Sequence, residues 1–125
     1  MKELTKEWID KAEGDFSVVN REYEAKNPIY DAVCFHAQQC VEKYMKAILQ
    51  DNNIKFGKVH DLDLLLEKCK HFVPLLEEHN AELIELSSFA VEIRYPGVTA
   101  AEEEAVNCIS IMEGVRKIIK EYFEE

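Results

Sequence analysis

Nothing in this chain approaches the roughly 18 consecutive apolar residues that a membrane span requires. Its Lys- and Glu-rich N-terminus also lacks the apolar core of a secretory signal, so no membrane association is expected and the cytoplasm is the expected compartment. Positive charge is scarce: 15 Lys and Arg stand against 25 Asp and Glu, for a formal net charge of -10. A broad, sequence-independent grip on nucleic acid rests on phosphate neutralisation by Lys and Arg. RNA is therefore not an expected ligand of the isolated chain, and any polyanion contact must be local. Lys43, Lys46, Lys55, Lys58 and Arg94 are the candidates for such a patch, while the acidity itself serves solubility. CxxC pairs are missing, and Cys34, Cys40, Cys69 and Cys108 each fall in an apolar helical pattern, which reads as buried reduced thiols. His36 and Cys40 lie at i, i+4, a spacing able to hold a metal, but no second ligand pair accompanies them; neither metal nor cofactor is expected. Repeats and low-complexity tracts are absent as well, and 125 residues read as one domain, residues 1–125.

No segment alternates like a strand, and what is present has the helical period. Leu4, Trp8, Ala12, Phe16, Val19 and Tyr23 predict a first helix from about Leu4 to Ala25, ended by Asn27-Pro28. A second runs from about Tyr30 to Asp51 and breaks at the loop from Asp51 to Gly57. Asp61 is suited to cap a short leucine-rich helix that closes near His71. A fourth covers about Leu75 to Ile93, with a possible interruption near His79-Asn80 and with Leu83, Leu86, Ala90 and Ile93 inward. Arg94-Tyr95-Pro96-Gly97 ends it, because Pro96 disfavours helix at Tyr95 and Gly97 takes the positive φ of a tight reversal. Thr99 and Glu102 are placed as the capping box of a last helix through Ile109, Met112, Val115, Ile119 and Tyr122. The fold class is all-α: an antiparallel up-down bundle of four long helices and one short one.

The second helix is the most informative segment. At about 100° per residue, His36, Gln39, Lys43, Lys46 and Gln50 fall within an arc of roughly 80°. Tyr30, Val33, Ala37, Val41, Tyr44 and Ile48 lie nearly opposite. That polar stripe is either a solvated edge or one wall of a site. Phe35, Met45 and Leu49 lie off the main apolar stripe, which implies a second buried face, against a short helix of the same chain or against another copy.

Taken in order, FHAQQCVEKYMKAIL (35–49), HDLDLLL (60–66) and RYPG (94–97), with Trp8, Ala12 and Asp15 in the first helix, resemble the HEPN family across essentially the whole chain. The family takes its name from nucleotide binding in higher eukaryotes and prokaryotes. The resemblance implies a bundle of four to five helices that commonly forms homodimers. In prokaryotes it also implies a minimal nucleotidyltransferase as an encoded partner in a two-component or toxin-antitoxin system. Many members are endoribonucleases with an Arg followed after four to six residues by a His. Arg94 matches the first, but Thr99, Ala100 and Ala101 occupy the expected places of the second, and no His follows His79. That departure removes the general acid/base of metal-free RNA cleavage, so no catalytic residue is assigned.

What the residues then suggest is a nucleotide pocket. Lys43 and Lys46 would supply positive charge, Arg94 a planar fork for phosphate and Tyr95 a stacking ring, with His36, Gln39, His60 and Asp61 hydrogen-bonding base or ribose. Structural alternatives stand beside these roles. Asp61 also fits as a helix cap, and Arg94 with Tyr95 as a tie to the second helix through Glu42. Glu102, Glu103 and Glu104 oppose phosphate at the start of the last helix. His71 and His79 are expected at the solvated surface. Three functions follow: a non-catalytic module that binds a nucleotide or a nucleotidyltransferase partner, an endoribonuclease with an altered site around Arg94 and His60, or a plain dimeric scaffold.

Overall fold

A computed structural model describes residues 1–90 and 96–124. Within them the chain is all-α. Three long helices, α1 (Glu3–Tyr23), α2 (Tyr30–Asp51) and α5 (Glu102–Phe123), combine with two of eight residues each, α3 (Leu62–Cys69) and α4 (Asn80–Ser87). Short 3-10 segments at Pro74–His79 and Ser88–Ala90 flank α4. The segment expected as one fourth helix is thus broken at His79-Asn80, where the chain passes from 3-10 to α geometry. Ile93, expected on its inner face, lies outside the described residues.

Cross-links between helix ends fix the topology. Thr5 Oγ1 donates to Asp51 Oδ1 at 3.2 Å and Tyr23 Oη to Glu102 Oε2 at 3.3 Å, so α1 runs antiparallel to both α2 and α5. The Ala100 N–H donates to Asp31 Oδ1 at 2.6 Å, and Asn52 Nδ2 to Tyr122 Oη at 3.1 Å, so α5 runs alongside α2 in the same direction. α3 and α4 form a short hairpin between them, clasped where the Leu62 N–H donates to Ser87 Oγ at 3.0 Å.

α2 is the axis of the molecule. Thirteen of its residues are buried, and it packs on α1, α3 and α5. Met45 and Leu49 are fully buried within the chain, which uses most of the second apolar face expected from the sequence; Phe35 is half-buried. α1 presents a narrower seam than its apolar period suggests. Ala12 and Val19 are buried, Trp8, Phe16 and Tyr23 are half-buried, and Leu4 is 50% exposed, whereas polar Thr5 and Asp15 are buried beside α2. Small Ala12 lets the two helices approach, and the polar pair is tolerated because Asp51, His36 and Lys43 receive it. The cap of α5 also differs from expectation. The helix starts at Glu102, and Glu104 reaches back to accept from the Ala101 N–H at 2.9 Å, so Thr99 and Glu102 form no box. Asp61 holds the N-cap position of α3 without a side-chain cap bond.

Candidate functional site

Both edges of the polar stripe on α2 are occupied by carboxylates. On the α1 side Asp15 Oδ1 meets His36 Nδ1 at 2.9 Å and Asp15 Oδ2 accepts from Lys43 Nζ at 2.6 Å. On the other side Glu42, one turn before Lys46, accepts from Lys46 Nζ at 3.0 Å. Lys43 and Lys46 were expected to offer positive charge to a ligand; each is instead neutralised by a partner within the bundle, and Lys46 is buried. Gln39, between the two edges, donates to Gln38 Oε1 at 2.8 Å.

Lys46 is buried because of the chain that follows α2. Residues 52–60 turn back along the helix: the Ile54 N–H donates to Leu49 O at 2.9 Å, Phe56 packs edge-on against Trp8 at 5.7 Å, and Gln38 Nε2 donates to His60 O at 3.1 Å. Lys46 Nζ lies 5.6 Å from the ring centroids of both Trp8 and Phe56. Two positive φ values, at Asn53 and Gly57, make this strap possible.

The strap ends at His60, whose side chain is 62% exposed, yet whose Nδ1 sits 3.2 Å and 3.1 Å from the two oxygens of Glu42, a carboxylate only 4% exposed. An ionised carboxylate can only accept, so Nδ1 carries a proton, and in the neutral form of the ring Nε2 is left as the acceptor. Gln38 Nε2 steadies the same carboxylate at 3.3 Å. The result is a surface imidazole oriented by a buried polar network, the arrangement that holds a ligand-contacting group in one tautomer. Asp61 follows it and is exposed.

Of the expected site residues, the structure thus gathers Gln39, Lys46 and His60 around Gln38 and Glu42, and gathers His36 and Lys43 around Asp15. Arg94 and Tyr95 lie outside the described residues, and Glu42, the proposed tie for Arg94, is engaged by Lys46 and His60. His71 is exposed as expected, whereas His79 is half-buried and bonded through Nδ1 to Glu82 at 2.8 Å.

A third polar cluster has no signature in the sequence. Arg116 of α5 makes a two-pronged contact with Glu13 of α1 at 2.9 Å and 2.8 Å, donates to Tyr44 Oη at 3.1 Å and stacks on Phe16 at 3.9 Å. Lys120 adds a second cation to Glu13 at 3.2 Å. Hydrogen bonding from Arg116 holds the Glu13 carboxyl below its ordinary value against the opposing effect of burial. These residues are spread over three helices, and no local pattern links them.

The cysteines offer no nucleophile. All four are free and buried. Burial pushes the Cys69 thiol up to about 12 and raises Cys40 strongly, and a hydrogen bond with Cys34 together with burial raises Cys108, so these three remain thiols at neutral pH. Among the described residues no cluster of three or more His, Cys, Asp or Glu is placed to hold a metal, and no helix is long and apolar enough to cross a membrane.

Comparison with known proteins agrees with this architecture. The HEPN domain matches residues 5–122. A protein of Methanocaldococcus jannaschii, provisionally named as toxin MJ1304, is 29% identical over 134 aligned residues, which cover 94% of this chain and 87% of that protein. The crystal structure of ST0689, an archaeal HEPN homologue, superposes with a TM-score of 0.73 at 25% identity, covering 97% of this chain and 98% of that one.

Proposed function

The chain belongs to the HEPN domain family, and on that footing we propose that it is a non-catalytic module that binds a nucleotide or a nucleotide-bearing partner. A minimal nucleotidyltransferase in a two-component system of toxin-antitoxin type is the partner of choice. The observation that carries the binding role is the exposed His60 held at Nδ1 by buried Glu42. A bundle that needed only to fold would gain little from burying Glu42 with Lys46 to orient an imbedded edge of solvent-exposed imidazole. The absence of any His after Arg94 speaks against the ribonuclease chemistry common in the family. A homodimer in the cytoplasm is part of the same proposal. It now rests on family habit, since Met45 and Leu49 are covered within the chain.

The endoribonuclease reading keeps one supporting observation, a carboxylate-oriented His60 able to accept a proton, alongside a relative named as a toxin. Purified protein incubated with RNA without metal separates the two. The expected outcome is cleavage no faster than that of an Arg94→Ala control, with measurable heat when nucleotides are titrated into the protein and a dimer mass by light scattering. Turnover abolished by Arg94→Ala or His60→Ala would replace the binding module with the nuclease. No nucleotide binding, no turnover and no captured nucleotidyltransferase would leave the scaffold.

A further inference from the structure

The strap over α2 carries the cations that the stripe beneath it does not leave free. Residues 52–60 (NNIKFGKVH) contain two lysines and no acid, in a chain of net charge -10. Lys55 and Lys58 are exposed, and neither ammonium has a hydrogen-bond or ion-pair partner among the described residues. Their backbone, by contrast, is fixed. Lys68 Nζ of α3 donates to Lys55 O at 3.0 Å, which brings a third ammonium to the same loop; Phe56 is seated on Trp8, and His60 is held by both Gln38 and Glu42. A strap anchored at three points, with free cations between the anchors, is preorganised for an anion in a way that lysines on a mobile loop are not.

We infer that residues 55–60 form a binding site for a phosphate ester of a hydroxyl-bearing small molecule, a mononucleotide in chemical class. Lys55 and Lys58 take the phosphate, and Nε2 of the exposed His60 accepts, in the neutral ring, a hydrogen bond from a hydroxyl of the sugar. This rests on the binding-module reading and relocates its phosphate contacts from Lys43 and Lys46, which the bundle neutralises, to the strap outside them. Buried Glu42 is the positioning residue: it fixes a proton on Nδ1, which in the neutral ring leaves Nε2 as the acceptor. Asp61 and Asp63, exposed at the start of α3 just after His60 in the chain, carry negative charge that disfavours a phosphate there relative to Lys55 and Lys58.

The test is calorimetric titration of AMP, ATP and inorganic phosphate, at two salt concentrations, into the full chain and three variants. Lys55→Gln/Lys58→Gln is expected to weaken AMP and ATP about tenfold and to flatten the salt dependence. His60→Gln is expected to weaken the nucleotides but not phosphate. The charge-matched Lys26→Gln/Lys117→Gln, at exposed positions away from the strap, is expected to bind as wild type. Nitrogen-detected NMR supplies a readout that a merely structural role would not move: His60 in the free protein as the Nδ1–H tautomer, with the Nε2 signal displaced by AMP. Nucleotide binding unaffected by Lys55→Gln/Lys58→Gln would overturn the strap site and leave the nucleotide module standing with its site elsewhere. A His60→Gln variant that loses phosphate and AMP alike would overturn the hydroxyl contact. No heat from any probe with the wild-type chain would overturn both the strap site and the nucleotide reading.

Discussion

Glu42 is asked to do two things that pull against each other: remain charged in the interior and point at the surface. Its oxygens take Lys46 Nζ, Gln38 Nε2 and His60 Nδ1, so the buried charge is fully partnered, and no buried side-chain nitrogen or oxygen among the described residues lacks a partner. Removing one member of such a pair is far more damaging than removing both. Glu42→Leu is therefore expected to cost about 3–5 kcal/mol because Lys46 is left buried and uncompensated, whereas Glu42→Leu/Lys46→Met costs much less than the two single changes together. Denaturant titration of the three variants measures this, and strict additivity would mean that the pair is not coupled. The sequence displays half of this arrangement. The spacing of His36, Lys43 and Lys46 isolates a polar stripe, and Glu42 to Lys46 at i, i+4 is a visible pairing. Whether the stripe faces water or protein depends on Asp15, twenty-one positions before His36, and on Phe56 folding back, and neither follows from the period of α2.

At the scale of the helix, periodicity located α2 to the residue and placed the other long helices within a few positions, because each carries several turns of consistent pattern. It was least informative where local and tertiary preferences compete. Residues 74–90 are short of a continuous stripe, and the chain settles into 3-10, α and 3-10 pieces to reach both α3 and α5. The N-cap of α5 is Ala101 rather than Thr99 because Asp31 of α2 takes the Ala100 N–H and fixes the entry of the chain. One element carries an evident weakness. Gly14 sits in the middle of α1 with an exposed backbone, and a Cβ built there meets nothing within 4 Å among the described residues. Glycine inside a helix gives up about 0.5–1 kcal/mol relative to alanine, so Gly14→Ala is expected to raise the stability by that amount. A thermal midpoint that falls instead would mean that α1 is covered at Gly14 by something other than this chain.

Across the whole molecule, a surplus of acid is held together by a few cations that bridge helices, and Arg116, with Lys120 beside it, closes α5 onto α1. Its partner gives that closure a definite pH dependence. The Glu13 carboxyl is held below its ordinary value of 4.5 mainly by hydrogen bonding from Arg116, so the folded state binds its proton less readily than the unfolded chain does. The stabilisation is complete above the unfolded value and is lost as the pH falls through the lower folded value. Glu13→Gln keeps the side-chain shape and removes the charge. Relative to wild type it is expected to lose about 1 kcal/mol at neutral pH, since the carboxylate is 29% exposed and partly screened. That gap narrows as the wild-type carboxyl itself takes up a proton in acid. Arg116 stacking on Phe16 and its bond to Tyr44 Oη do not depend on that proton and persist in both proteins, so they do not contribute to the difference. Thermal unfolding of the two proteins across the range from neutral to about pH 3 decides it, because a gap that stays constant into acid would locate the effect in packing rather than in the ion pair.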